Sequence, residues 1–169
     1  MHDPVTTLDQ RYSDPKAIAT SWEETRHALE SAELVLVTTV RADGQPHATP
    51  VVAVWYEEAL YFSTGAREQK FRNLRNNPHV LLTTGSAHWN DGLDVVVEGD
   101  AVQVSDDEML GRLAQVWATK WDGRWQWQVR DGVFQNEGEE SAACVFAVMP
   151  TKVYAYSKGD PFSRTRRQF

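Results

Sequence analysis

The sequence is poor in the features that announce chemistry. It holds a single cysteine, Cys144, so no disulfide can form within the chain and no cysteine pair is available for a redox or metal site. Its five histidines (His2, His27, His47, His79, His88) show no ligand spacing, and there is no HExxH, so no metal site is expected. A GxSxG elbow, a P-loop and a GxGxxG are all missing. Activated-nucleophile hydrolysis and nucleotide-dependent phosphoryl transfer therefore have no visible machinery. Carboxylates are plentiful but scattered, and none are paired for acid–base work. No apolar run is long enough to span a bilayer. The opening MHDPVTTLDQRYSDP lacks the basic and apolar segments of a secretory signal. These absences lead to an expectation of a reduced, cytoplasmic setting with no membrane partner.

What is present is enough for one ordinary domain: 169 residues, 41% hydrophobic and 11% aromatic. The chain is acidic overall, formally −7, which argues against nucleic acid as a partner. The charge is uneven. Residues 67–75 carry Arg67, Lys70, Arg72 and Arg75 against Glu68 alone, and residues 158–169 carry Lys158, Arg164, Arg166 and Arg167 against Asp160 alone. Two small basic segments on an acidic body fit either a compact anionic ligand or two solvated faces.

Residues 1–13 are polar and are expected to be a flexible lead to one domain over 14–169. Asp14-Pro15 reads as a helix start, with Ile18, Trp22 and Leu29 on one face of a helix to about residue 31. ELVLVTTV, HATPVVAVWY and ALYFST then read as three antiparallel strands, turned at Asp43-Gly44 and at Glu57-Glu58. Pro50 cannot donate to a ladder, so its strand is either an edge or bulged there. A helix follows, with Phe71 and Leu74 inward, Arg67 and Lys70 at the border of the buried face, and Pro78 ending it. HVLLTTG and LDVVVEGDAVQVS are further strands, the second with Gly99 as a bulge. A helix opens at Ser105 or Asp106. Four tryptophans (Trp117, Trp121, Trp125, Trp127) cluster beyond it, as a small core or as a wall for a planar ligand. QNEGEES is a polar loop. CVFAVMP and TKVYAYS are two more strands before a basic aromatic tail. Cys144 lies in an apolar strand and is expected to be inert.

About seven turn-linked strands and three helices predict a mainly β fold with helices (α+β), closing as an antiparallel barrel. Near the second helix, Ser63, Thr64, Arg67 and Lys70 combine hydroxyls, a guanidinium and an ammonium with the amides of a helix start. That set suits a phosphate on a planar organic cofactor.

These segments resemble the pyridoxamine 5'-phosphate oxidase-like split-barrel family, which binds flavins or deazaflavins. The likeness is carried by VTTVRADGQPHATPVVAVWY, LYFSTGAREQKFRNLRNNPHVLL, LDVVVEGDAVQVSDDE and PTKVYAYSKGDPFSRTRRQF. The TP-V strand, the K-RNLR-NP helix and the KG-PF-TR ending are most similar to the group using the deazaflavin coenzyme F420. The resemblance implies a homodimer of six-stranded, FMN-binding-like split barrels with cofactor at the interface. It implies that Thr49, Pro50, Val51 and Val52 lie along the ring, that Ser63, Thr64, Arg67 and Lys70 take the phosphate, and that Arg72 and Arg75 favour an anionic tail. The expected function is hydride transfer between F420 and a small conjugated organic substrate. The alternatives are an FMN-dependent enzyme on the same fold and a non-catalytic flavin, deazaflavin or haem carrier. No residue stands out as catalytic; Tyr56 or a water is available as proton donor. Such families often have an aromatic where this chain has Arg167, so a changed substrate or affinity is expected.

Overall fold

A computed structural model describes residues 4–136 and 142–169. Within the lead, β1 (Val5–Leu8) pairs antiparallel with the last strand, and a 3-10 turn follows at Gln10–Tyr12. β-branched residues in VTTL suit an edge strand, and β11 (Ser163–Gln168) turns Ser163, Thr165 and Arg167 inward and needs its outer edge covered. The expected tail is therefore this strand.

α1 (Trp22–Ser31) starts seven residues later than Pro15 suggests. Ser21 and Glu24 form a reciprocal capping box, with Glu24 N–H on Ser21 Oγ at 3.1 Å and Ser21 N–H on Glu24 Oε2 at 2.9 Å. That pair satisfies two orphan amides, which Asp14 cannot match. Ile18 is left outside the helix and exposed.

The strands β2 (Val35–Val40), β3 (Pro46–Val51), β4 (Ala53–Tyr56) and β5 (Ala59–Gly65) follow the predicted turns, with Gly44 at φ +84°. α2 (Gln69–Leu74) is followed by β6 (His79–Thr84), β7 (Leu93–Val104) and α3 (Asp107–Lys120), which Asp106 caps. A hairpin, β8 (Gln128–Arg130) and β9 (Val133–Gln135), turns through Asp131-Gly132; this Asp-Gly is the same signal as at 43–44 and was legible. Of the expected QNEGEES loop, Gln135 belongs to β9, and residues 137–141 lie outside the described residues.

CVFAVMP and TKVYAYS form one strand, β10 (Ala142–Ser157), whose register against β7 shifts between Pro150 and Lys152. The extra residue is Thr151 on β10, so Gly99 is not itself the bulge. Gly99 faces it, and a Cβ there would lie 2.5 Å from the Met149 carbonyl oxygen.

The ladder runs β4–β5–β10–β7–β6–β2–β3, and β3 continues through Val52 into β4. Counting β3 and β4 as one strand gives six strands around the barrel. The ring is not closed by hydrogen bonds: the strand pairs with β2 before Val52 and with β5 after it. This is a split barrel. Pro50 is on the edge strand β3, opposite Leu36, where its missing N–H costs nothing.

One core fills the barrel (Val37, Leu60, Phe62, Leu82, Val97, Val153). A second lies under α3 and the β8–β9 hairpin against β4, β5 and β10. Trp117 is fully buried there, edge-on to Phe134 at 5.6 Å, and Trp127 stacks on Phe134 at 5.2 Å. Of the four clustered tryptophans, Trp117 is core, Trp121 and Trp127 pack half-buried against it, and Trp125 is exposed. Cys144 is buried, which pushes its thiol up and leaves it inert.

Arg167 is turned into the interior. It is 1% exposed beneath α1, donating from Nη1 to Thr25 Oγ1 at 3.0 Å and from Nη2 to the Thr20 carbonyl, with its guanidinium 5.5 Å from the Trp22 ring centre. Lys120 ties α3 to the strand exchange, donating to the carbonyls of Ala32 (2.6 Å) and Ala53 (2.9 Å). Burial lowers its ammonium to about 8, against an ordinary 10.5.

Two predictions follow from these anchors. Arg167→Ala removes two charged hydrogen bonds and a ring contact, and should cost about 2–4 kcal/mol in urea denaturation. For Lys120, the unfolded chain holds the proton more tightly between pH 8 and 10.5, so stability from this group rises with pH in that window. The neutral amine keeps two N–H groups, enough for both carbonyls. Wild type should therefore gain stability between pH 7.5 and 9.5 relative to Lys120→Met; parallel curves would contradict this.

Candidate functional site

A strand that changes partners must open a notch between its old neighbour and its new one. Here β4 pairs with β5 only up to Ala53 opposite Phe62. Beyond that pair β3 has turned away to β2, and Ser63, Thr64 and Gly65 run on with β10 alone at their side. α2 packs across this end of the barrel. Phe71 lies edge-on to Phe146 at 6.1 Å, and Leu74 is buried. Buried Asn73 accepts from Gln69 Nε2 (2.8 Å) and donates to Thr39 Oγ1 (2.8 Å), which donates to the His47 carbonyl (3.3 Å). The helix is thereby pinned to β2 and β3. The sequence reading missed Asn73; an asparagine on the inward face of a short helix is the signal.

The predicted ring residues divide between two faces, as alternation requires. Thr49 and Val51 face in and Pro50 faces out, opposite Leu36; Val52 belongs to neither ladder. Thr49 Oγ1 and His47 Nδ1 are buried with no hydrogen-bond partner among the described residues. Unmet polar atoms beside the notch are what a polar ligand would satisfy. On the outer face, Pro50 borders an open groove of about 560 Å3 with Leu36, Thr83, Val96 and Tyr156. None of these four neighbours was named from the sequence, because they come from four other strands.

The four cations do not act as one cluster. Lys70 is 6% exposed and its ammonium is bonded to the Glu68 carboxylate, which also accepts the Gly65 N–H at 2.7 Å. Burial works to raise the Glu68 carboxyl, but the bonds from Lys70 and Gly65 outweigh it and hold the group below the usual carboxylate range. Arg67 is exposed at the turn before the helix, and Arg72 folds back to give Nη2–H to the Arg67 carbonyl at 2.7 Å. Arg75 caps the far end of α2 and is exposed. Ser63 is half-buried and Thr64 buried, and both stand on the β5 side of the notch. The structure thus brings Thr64, Glu68 and Lys70 together, turns Ser63 to the other face of β5, leaves Arg67 at the rim, and sends Arg72 and Arg75 elsewhere. Tyr56 ends β4 opposite Ala59, three residues past Ala53 and away from the notch. A hydrogen bond with Glu57 and partial burial raise its hydroxyl. Among the described residues no group of His, Cys, Asp or Glu is arranged to hold a metal ion, and no helix is long and apolar enough to cross a membrane.

This architecture is shared. The chain is similar to a conserved hypothetical protein from Mycobacterium tuberculosis, at 21% identity and TM-score 0.67 over 85% of this chain and 89% of that one. It is similar to a protein described as an F420 reductase, at 20% identity and TM-score 0.57 over 80% and 98%. A third likeness is to a FAD-binding protein from Mesorhizobium loti, at 17% identity and TM-score 0.59 over 87% and 95%. At these identities the likeness is one of fold. No curated protein matches the chain. The family profile described as pyridoxamine 5'-phosphate oxidase matches residues 21–156, which span both ladders and the notch between them, and the chain belongs to that family.

Proposed function

We propose that this chain is an oxidoreductase that binds the deazaflavin F420 at the strand exchange and passes hydride between it and a small conjugated organic substrate. The observation that carries the reading is the buried Lys70 ammonium, held with Thr64 by Glu68 at the strand exchange, where Thr49 Oγ1 has no hydrogen-bond partner among the described residues. The hydroxyls, the buried ammonium and the rim guanidinium of Arg67 fit the phosphate of such a cofactor in chemical type. Lys70 meets that anion only once Glu68 releases it. The apolar groove beside Pro50 offers a dry wall for a planar ring. When bound, the cofactor supplies the redox chemistry; the chain's part is to hold, orient and exclude water.

A homodimer belongs to this reading. The outer face of β3, β2 and β6 exposes Leu36 (47%) and Leu81 (38%), an apolar sheet surface suited to a second copy. The dispersal of Arg72 and Arg75 is the specific observation that favours a second reading, FMN. A cofactor with one phosphate and no anionic tail has no need of them. Titration of apoprotein with each cofactor separates the two. Tighter binding of F420 than of FMN, with oxidation of reduced F420 by enones or quinones, is expected. FMN binding alone would replace the first reading with the second, and F420 binding without turnover would make the protein a carrier.

Lys70→Ala should weaken cofactor binding by about 1.5–3 kcal/mol through loss of a charge-assisted bond. Glu68→Gln removes the competing carboxylate and should tighten binding, whereas Arg75→Ala should act weakly and only at low salt. Equal affinities across the three variants would place the phosphate elsewhere.

A further inference from the structure

The second basic segment takes no part in the notch, and the fold gives it a setting of its own. Alternation along β11 puts Arg164 and Arg166 on one face, about 7 Å apart along the strand. Register places Tyr154 beside Arg166 and Tyr156 beside Arg164 on β10, and Thr7 beside Arg166 on β1. The Arg164 guanidinium lies 5.2, 5.4 and 5.7 Å from the ring centres of Tyr12, Tyr154 and Tyr156. The 3-10 turn folds over the strand edge and adds Arg11, closing an open cleft of about 600 Å3.

One carboxylate already lies in this cleft. Asp9 takes Arg11 Nε at 3.3 Å and stands 3.7 Å from Arg164 Nη1. It shows how an acid is received here, and it leaves the cluster unbalanced. Arg166 is exposed and has no ion pair among the described residues. Three guanidinium groups against one carboxylate, on a chain of net charge −7, are a local excess that the rest of the molecule does not need. Guanidinium forks pair best with planar acids, and the tyrosine rings hold Arg164 in place, so little side-chain freedom is lost on binding.

We propose that this cleft is a second ligand site, for a small molecule with two carboxylate groups spaced to bridge Arg164 and Arg166. A single carboxylate meets only one fork, with Asp9 repelling it; a two-headed acid reaches both. The site does not rest on the cofactor reading: the cleft's own lining, Thr7 to Tyr12 with Tyr154, Arg164 and Arg166, shares no residue with the notch or the Pro50 groove, and only Tyr156, behind Arg164, touches both regions.

The test is calorimetric titration with glutarate and with acetate at constant ionic strength. Glutarate should bind wild type at least ten-fold more tightly than acetate. Arg166→Gln, at an exposed position that leaves thermal melting unchanged, should remove that margin. Arg164→Lys keeps the charge but loses the fork, and should also reduce it. Lys70→Ala should leave glutarate binding untouched. No preference for glutarate, the same preference in Arg166→Gln, or loss of it in Lys70→Ala would each overturn the proposal.

Discussion

The structure depends on one strand having two partners. Residues 46–56 pair with β2 up to Val51 and with β5 from Ala53, and no hydrogen-bonded ladder closes the ring between them. A closed barrel of this size would have only a packed interior. Leaving the ring open at Val52 exposes strand ends, and the fold then has to support them. α2 does this from one side through Asn73 and Thr39, and Lys120 from the other through the Ala53 carbonyl. Near the same opening, Thr49 Oγ1 and His47 Nδ1 are buried without a partner among the described residues. Support and vacancy for polar contact arise from the same break, which is why the candidate site lies there rather than at a loop tip.

Electrostatics refine this picture. A buried ammonium needs a partner, and Lys70 has one in Glu68. The pair keeps the notch near neutral until an anion competes for the lysine. In the proposed reading the lysine is preorganised at the cost of an internal rival, which would favour anions able to displace a carboxylate over those that merely approach a positive surface. The cations left outside the pair divide by place. Arg72 serves the backbone, and Arg164 and Arg166 build a separate surface with tyrosines.

Much of the fold was legible from residues. Short apolar runs rich in β-branched or aromatic residues marked β2, β5, β6 and β7, and Asp43-Gly44 gave the first hairpin. The misreadings have physical causes. A capping box outweighed Pro15, and a proline at 150 shifted a register without ending a strand. A basic tail formed a strand because its alternate residues were Ser163, Thr165 and a buried Arg167. In the candidate site, Thr64 and Lys70 were named together because they are close in sequence. Leu36, Thr83, Val96 and Tyr156 were not, since only pairing across strands brings them to Pro50. The count of cations was visible, but their pairing was not: Glu68 takes Lys70, and the Arg67 carbonyl takes Arg72.

The central claim is that the break in the ladder is the cofactor seat. Amide hydrogen exchange with and without cofactor tests it most directly. Protection should rise at residues 49–53 and 63–70, on the two sides of the notch, and remain unchanged across the tryptophan core at 117–134. Protection confined to that core, or none on either side of Val52, would contradict the account.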